Sequence, residues 1–375
     1  MQVALNIAII LIIALIPKIS NSANPEPIIR VAIINNLSTV TIESQTGILS
    51  ILDKDNSVWN GHIATLSSTE NGLRVNGQTL GTKAVTVTNS RSFYKIDNKT
   101  YRGSLRLIQE NNSITLINNI PLESYIAGLI NSEISSTWPD EAIKAQAVAA
   151  RTYAINQITR TKQANSSAIY DIKSSTLDQV YFGAHQEDER SISLVKQTRG
   201  EVLKINDLIF PAFYHSCCGG ETEDADRVWT GAIGPPVVQD KFCERAPQQN
   251  WSLSISKSDF LNLASTPEQN IKEISAITVI PFFNAPRINT VLIETPDDVF
   301  EIKATELRKL IGYSKLKSTW FEVSMNGKNI VFNGHGYGHG VGMCQWGAKG
   351  MAEEGFGYKD ILNFYYPKAN IARIY

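Results

Sequence analysis

The pattern of apolar residues changes at Pro121, and this change limits the fold more than any other feature of the chain. From residue 28 to about 118, short alternating runs are broken by glycine and asparagine, which is typical of β-strands. After Pro121, apolar residues recur at the spacing of helix turns. We therefore predict an α+β fold, with a strand-rich N-terminal region, a helix-containing core and a C-terminal α/β segment that includes a glycine-rich loop. The predicted strands are 29–33, 39–43, 84–88, 101–107, 113–117, 179–181, 201–205 and 209–214, and the later helices are 142–158 and 303–311.

The chain has 375 residues, enough for two or three domains. We divide it into residues 1–23, a β-rich region 24–118, a core 119–245 and a C-terminal segment 246–375 that completes the core and its cleft. The formal net charge is −1, so no large basic field indicates a nucleic-acid partner.

The composition of residues 1–23 predicts that the protein is exported from the cytoplasm. Positions 3–16 are apolar except for Asn6, and Pro17 then ends the run before small polar residues. This is the apolar region and exit of a signal peptide. Fourteen residues are short for a membrane span, which needs about 20. An uncleaved N-terminal anchor is the alternative, and both interpretations place the rest of the chain outside the cytoplasm.

A helix that begins near Pro121 brings an acidic residue onto its apolar face. Four apolar residues share that face: Leu122, Ile126, Leu129 and Ile130. Glu133 follows Leu122 by eleven positions, close to three turns. Burial there should raise its pKa from about 4.3 toward neutrality, which suits a general acid. The alternative is a helix that ends before Glu133 and leaves it in solvent.

The segment 334–342 has glycine at alternate positions and histidine at 335 and 339. Such a run cannot form a helix and weakens a strand, which indicates backbone close to a bulky group. A phosphate loop is disfavoured because no Lys-Ser or Lys-Thr follows the glycines. His335 and His339 have zinc-protease spacing, but that pair needs a glutamate where Gly336 stands. A tight turn with structural histidines and a ligand-contacting loop both stay open.

The cysteines are compatible with three arrangements. Cys217 and Cys218 are adjacent and unlikely to bond each other, because the ring would be strained. A disulfide from Cys218 to Cys243 is one interpretation, and free thiols are another. A zinc site formed by His215, Cys218 and Cys243 is the third, since histidine and cysteine are the usual zinc ligands. Cys344 has no obvious partner and is interpreted as a packed thiol.

Several segments of the chain resemble the SpoIID/LytB family, whose sporulation members are lytic transglycosylases. The matching segments are 121–125 (PLESY) with Glu133, 138–154 (WPDEAIKAQAVAARTYA), 178–181 (DQVY), 214–223 (YHSCCGGETE) and 336–348 (GYGHGVGMCQWGA). Together they span about two thirds of the chain in the order of the family. Asp178–Tyr181 and Trp229 are also polar and aromatic groups of the kind that sugar sites use, although such residues are common in turns and cores.

The resemblance implies cleavage of the MurNAc–GlcNAc bond in peptidoglycan glycan strands, preferably strands without stem peptides, with a 1,6-anhydro product. It implies that Glu133 is the catalytic acid and base. No cofactor is required for this chemistry, but zinc is implied for some members at the His-Ser-x-Cys-Gly-Gly stretch and a later cysteine. The candidate ligands here are His215, Cys218 and Cys243. Asp240 and Cys243 stand where some relatives would have two cysteines.

One glutamate is enough for such a reaction. Hydrolytic glycosidases generally use two carboxylates. In a lytic transglycosylase the C6 hydroxyl of the sugar attacks, so one group can act as acid toward the leaving oxygen and then as base toward that hydroxyl. Neutral or hydrogen-bonding groups must stabilise the oxocarbenium-like state. The candidates for substrate binding are Gln146, Arg151, Gln179, Tyr181, His335 and His339.

We therefore predict an exported peptidoglycan lytic transglycosylase of the periplasm or cell envelope. The rival is a non-catalytic wall-binding module, because some relatives are described as amidase modifiers that stimulate another hydrolase. The predicted partners are glycan strands, a cell-wall amidase and membrane proteins of wall remodelling, and not nucleic acid. The region 24–118 carries no motif that assigns it a role.

Overall fold

The computed structural model describes residues 24–375 except 55, 92, 176–177, 265–270 and 272. The predicted signal or anchor segment, 1–23, lies outside these residues. Within the part described, no helix is both long and apolar enough to cross a membrane. Strands and helices are mixed along the chain, which confirms the α+β prediction.

Residues 28–121 form strands in two sheets. The strands are β1 (Ile28–Leu37), β2 (Thr39–Ser44), β3 (Leu49–Asp53), β4 (Asn56–Gly61), β5 (Ile63–Thr69), β6 (Gly72–Val75), β7 (Gln78–Thr79), β8 (Ala84–Asn89), β9 (Phe93–Ile96), β10 (Lys99–Arg102), β11 (Ser104–Glu110) and β12 (Ser113–Pro121). With β13 (Ile172–Lys173), one sheet has the order β13-β1-β12-β11-β8-β3-β4, and the other β10-β9-β2-β5-β6-β7. Apolar residues of both sheets are buried in one core, which the alternating pattern of the strands predicts.

Residues 101–107 form two strands rather than the predicted one. β10 ends at Arg102 and β11 begins at Ser104, with Gly103 between them at a φ of +85°. A Cβ atom at this position would lie 2.2 Å from the carbonyl oxygen of Asn119. Only glycine fits this turn. Because the alternation of apolar and polar residues continues across Gly103, the sequence pattern does not reveal that the strand ends there.

Two helices follow the sheets and join their core. These are α1 (Leu122–Glu133) and α2 (Asp140–Ala164). The predicted helix 142–158 is confirmed and is longer at both ends. Ala147, Ala150 and Ala154 of α2 face the core of the sheets, while Ala145 and Ala149 face a second core formed with the C-terminal residues. The small alanine side chains let α2 lie buried between these two cores.

The rest of the chain alternates between these cores and a third one. The next elements are a 3-10 helix (Gly183–Gln186), α3 (Glu189–Gln197), β14 (Glu201–Ile205), β15 (Leu208–Ile209), β16 (Tyr214–His215) and α4 (Ala225–Val228). A body with its own core then contains β17 (Asn250–Ser256), α5 (Lys257–Ala264), β18 (Ala276–Pro281), β19 (Ile288–Glu294), β20 (Val299–Lys303), α6 (Ala304–Ile311), β21 (Phe321–Asn326) and β22 (Asn329–His335). The chain returns through β23 (Met343–Cys344), α7 (Gln345–Glu353), α8 (Tyr358–Tyr365) and β24 (Asn370–Arg373). In this return β23 pairs with β16, and β24 pairs with β14.

Two predicted strands are wrong. Residues 179–181 form only an isolated bridge from Gln179 to Ser174, because the N–H of Val180 donates to a side chain instead of a neighbouring strand. Residues 209–214 do not form one strand, because Pro211 has no N–H to donate to a ladder. The short strands β15 and β16 lie on either side of it.

Candidate active site

Glu133 is the last residue of α1, and Ile134 after it is already extended. The prediction that the helix carries Glu133 is confirmed, and the alternative of an earlier helix end is wrong. The residue keeps partial exposure to solvent. The backbone N–H of Val180 donates to its Oε1 atom over 3.2 Å. The protein therefore fixes the carboxyl group at its Oε1 atom, while the residue as a whole is not fully buried.

Burial raises the pKa of Glu133 to about 7, as predicted from the apolar face of the helix. Hydrogen bonds from Val180, Gln345 and Tyr214 favour the charged form and oppose this rise. Because burial outweighs them, the carboxyl group can both hold and release a proton near neutral pH.

A chain of hydrogen bonds with a fixed direction supports the Glu133 carboxylate. The hydroxyl of Tyr125 donates to Oε1 of Gln179 over 2.9 Å, and Nε2 of Gln179 donates to the hydroxyl oxygen of Tyr214 over 2.9 Å. This leaves the proton of Tyr214 free to be donated to Glu133. Gln179, a predicted substrate-binding residue, is only 1% exposed and lies behind Tyr214. Its position is that of a support for the site.

A second support comes from α7. Gln345, the first residue of that helix, hydrogen-bonds Glu133. Its Nε2 atom also lies 3.5 Å from Oε1 of Gln146 on α2. Gln146, a predicted substrate-binding residue, is only 1% exposed, and its buried Nε2 atom has no partner among the described residues. It lies behind Gln345, as Gln179 lies behind Tyr214.

Arg151 and Tyr181 lie in the core, which corrects their prediction as substrate-binding residues. Arg151 is fully buried, and its guanidinium group makes two hydrogen bonds of 2.9 Å to the carboxylate of Glu123. The hydroxyl of Tyr181 donates to Oδ1 of Asn118, and its ring packs on Tyr125 at 5.0 Å. Both polar groups are satisfied by protein and are turned away from solvent, so neither is available to a ligand.

The two histidines of the glycine-rich segment are in different surroundings. His335 is exposed at the end of β22 beside Trp320, and it is not among the groups that contact Glu133. His339 accepts the N–H of Val341 at its Nδ1 atom and hydrogen-bonds the backbone of Tyr214. The pKa of His339 is held well below its usual value, mainly by burial and to a smaller extent by nearby positive groups, so the ring is neutral. Of the two, His339 lies next to the site.

The bulky group beneath the glycine-rich segment is part of the protein. Gly340 has a φ of +88°, and a Cβ atom there would lie 2.6 Å from Cζ of Arg287. Arg287 is 1% exposed, donates from Nη2 to the carbonyl of Cys218 over 2.8 Å and faces Glu223. Arg287 thus connects the body with the third core to the glycine-rich segment, and Gly340 leaves space for its guanidinium group because it has no side chain.

Four buried side chains form a cluster that fits a zinc ion. Donor atoms of Cys218, Asp240, Cys243 and Cys344 all lie within 4.8 Å of one another. The sulfur atoms of Cys218 and Cys243 are 3.4 Å apart and unbonded. Three thiolates and a carboxylate are an acceptable tetrahedral set for zinc, which has bonds of about 2.0–2.3 Å to such ligands.

The cluster corrects two predictions about the metal ligands. His215 is not a member, because neither of its ring nitrogen atoms is among the donor atoms that lie within 4.8 Å of one another. Its Nδ1 atom faces the carbonyl oxygen of Val341 at 3.1 Å, and its ring packs against His339. Cys344, predicted to be a packed thiol without a partner, is a member. Parallel pairing of β16 with β23 places Cys344 opposite His215, which brings its sulfur to this end of the site.

Sequence reasoning missed Tyr214 and Gln345 as partners of Glu133. Both lie inside segments that carry the family resemblance, next to a histidine and a cysteine that drew attention instead. The signal that could have identified them is their residue type, since a phenol and a carboxamide can donate a hydrogen bond to a carboxylate without adding charge.

We expect Tyr214→Phe to raise the pKa of Glu133 further, by roughly 0.5 to 1 pH unit, because a hydrogen bond worth about 1 kcal/mol to the charged form is lost. The measurement is a pH titration of the Glu133 carboxyl signal by carbon-13 NMR of glutamate-labelled protein. Tyr153→Phe is the control, since that hydroxyl bonds Gln157 and Asp178. An unchanged or lowered pKa in Tyr214→Phe would contradict the network.

Two family models match the chain. One, described as stage II sporulation protein, matches residues 110–204, which include Glu133 and α2. The other, described as a domain of unknown function (DUF8618), matches residues 246–342. The second range covers the body with its own core, so the family boundaries follow the packing of the chain.

The curated relatives include a protein named for the first family. A stage II sporulation protein D of Bacillus subtilis is 30% identical over 68% of this chain and 76% of its own length. An uncharacterized protein of Brachyspira hyodysenteriae is 31% identical over 80% of this chain and 79% of its own length. An amidase enhancer of Bacillus subtilis is 29% identical over 64% of this chain, but the match covers only 39% of that protein.

Proposed function

Because this chain belongs to the stage II sporulation protein D (SpoIID) family, we propose that it is a peptidoglycan lytic transglycosylase that acts outside the cytoplasm. Its substrate is the MurNAc–GlcNAc bond of glycan strands, preferably those without stem peptides. The observation that carries the proposal is the pKa of Glu133, which burial raises to about 7 in a residue that keeps partial exposure.

Glu133 acts first as the acid. Its protonated carboxyl group gives a proton to the glycosidic oxygen, the bond from that oxygen to C1 of MurNAc breaks, and the GlcNAc end leaves as an alcohol. A pKa near 7 leaves a large fraction of Glu133 protonated at neutral pH, whereas an exposed glutamate would be almost fully ionised.

Glu133 then acts as the base. The C6 hydroxyl of the same MurNAc attacks C1, and the carboxylate takes its proton, which closes the 1,6-anhydro ring and restores the acid form. No water is consumed. Tyr214 and Gln345 stabilise the carboxylate between the two steps, because each donates a hydrogen bond to the charged form.

The groups that contact Glu133 are compatible with a reaction that uses one carboxyl group. Hydrolytic glycosidases generally place a second carboxylate near the first, as a nucleophile or base for water. Here the contacting groups are a backbone N–H, a phenol and a carboxamide. These groups stabilise the charged form of Glu133, and an attack by the C6 hydroxyl needs no second carboxylate.

The test is incubation of purified protein with amidase-treated, peptide-free glycan, followed by mass spectrometry of the products. The proposal requires products with 1,6-anhydroMurNAc ends. Reducing ends formed with uptake of water would instead indicate a hydrolase.

The similarity to an amidase enhancer supports a second candidate, a wall-binding protein that stimulates a cell-wall amidase. It predicts binding of the same glycan without release of anhydro ends, and faster release of stem peptides when a purified amidase is added to intact wall. Both readouts can be taken from the same protein preparation.

We further propose that Cys218, Asp240, Cys243 and Cys344 hold a structural zinc ion. When bound, zinc ties together chain segments that are far apart in sequence. Cys344 directly precedes Gln345, so the cluster fixes the start of α7 and with it one hydrogen bond to Glu133. The chemistry of Glu133 itself does not require the metal.

Protein purified without added metal is expected to contain about one zinc ion per chain, measured by elemental mass spectrometry. Cys218→Ser should lose most of it, whereas Cys217→Ser and His215→Ala should keep it, because those residues lie outside the cluster. A zinc content near zero with an intact mass lower by about two daltons would show a disulfide instead.

A further inference from the structure

Trp229 has an unusual combination of exposure and rigid support. It follows α4, and 40% of the residue is exposed. Its ring stacks on Phe213 with centroids 4.7 Å apart and planes inclined by 25°, and it contacts the ring of His339 at 4.9 Å. Its backbone is held by hydrogen bonds to Ala225 and from Ala232. An indole ring is thus presented to solvent in a fixed orientation.

The support of this ring is continuous with the candidate active site. Phe213 directly precedes Tyr214, whose hydroxyl reaches Glu133, and His339 hydrogen-bonds the backbone of Tyr214. Phe213 also contacts the ring of Tyr153, which lies near Asp178. The exposed indole is therefore positioned by the same short segment that positions a partner of the catalytic carboxyl group.

We propose that Trp229 is a sugar-binding platform for the glycan strand, on which a pyranose ring next to the cleaved bond stacks. This inference rests on the proposed function, since it names a binding site for the same substrate. One face of a pyranose ring carries C–H groups, which fit the apolar, electron-rich face of an indole. A rigid aromatic residue binds at low entropic cost, because its side chain is already ordered in the free protein.

The experiment measures binding in the Glu133→Gln background, where the glycan is not cleaved. The probe is peptide-free glycan of defined length, prepared from amidase-treated wall, and the readout is the Kd from titration calorimetry. Trp229→Ala should weaken binding about ten-fold, in the range found for other stacked rings. Trp229→Phe keeps packing on Phe213 and should weaken binding about three-fold. This variant tests the inference if Trp229→Ala does not fold. Phe356→Ala is the matched control, as Phe356 is 38% exposed but packs on Phe242.

In the active enzyme, Trp229→Ala should raise KM for the strand. An unchanged Kd in folded Trp229→Ala or Trp229→Phe overturns the inference. The inference is also overturned if the Trp229 variants keep their Kd for glycan but no longer stimulate an amidase. That result would place Trp229 in a protein-docking patch with the exposed Ile233 and Phe283. If the wild type releases no anhydro ends but binding still depends on Trp229, the proposed function fails and the platform stands.

Discussion

Glu133→Gln is expected to abolish the release of 1,6-anhydro ends from peptide-free glycan, with a loss of about 10³-fold or more. Glutamine has the same shape and can still accept the N–H of Val180, but it can neither donate the proton to the glycosidic oxygen nor take one from the C6 hydroxyl. Product analysis by chromatography and mass spectrometry measures the loss. Binding of the glycan should be retained, because the amide keeps the shape of the site.

Glu189→Gln is the matched control, since Glu189 is an exposed glutamate at the start of α3. It should keep full activity. Anhydro ends released by Glu133→Gln at the rate of the wild type would remove Glu133 from the mechanism, and loss of glycan binding would indicate a role in binding.

The same variant has a second, independent readout in protein stability. The pKa of Glu133 rises from 4.5 to about 7 on folding, so the folded state favours the protonated carboxyl group. That contribution is fully present below pH 4.5 and is lost as pH rises through about 7, a difference of about 3 kcal/mol. Glu133→Gln removes the charge, so it should be more stable than the wild type at pH 8 and similar to it at pH 4. Urea unfolding at the two pH values measures this.

Arg151→Met is expected to lower the free energy of unfolding by about 3–5 kcal/mol, because it leaves the largely buried carboxylate of Glu123 without its cationic partner. The side chains of Arg151 and Glu123 are 0% and 12% exposed. Burial raises the pKa of Glu123, but the charge and hydrogen bonds of Arg151, together with hydrogen bonds from Tyr375 and Gly200, outweigh it and lower the net pKa. Urea denaturation is the measurement, and binding of glycan per folded molecule should not change.

Arg199→Met is the matched control. Arg199 pairs with Glu26 at the surface, with side chains 48% and 19% exposed, so its loss should cost less than about 1 kcal/mol. A similarly small loss in Arg151→Met would contradict a structural ion pair. Loss of glycan binding with unchanged stability would restore Arg151 as a substrate contact.

The sequence predicted the local elements of the site well. The helix of residues 122–133 and the raised pKa of Glu133 both follow from the spacing of the apolar residues. These residues recur with each helical turn, so Glu133 falls on the buried face of the helix. The single strand predicted across Gly103 failed because a contact with Asn119, in another strand, decides the turn. Local patterns contain no information about such a contact.

The sequence by itself determined the α+β class, the family and the residue most suited to be the acid. Only the tertiary structure decided which groups surround it. Tyr214 and Gln345 contact Glu133, Asp240 and Cys344 join the cysteines, and Arg151 lies in the core. The physical reason is that helix and strand periodicity depends on residues a few positions apart in the sequence. Gln345 and Gln146 are 199 positions apart and meet only because α7 packs on α2.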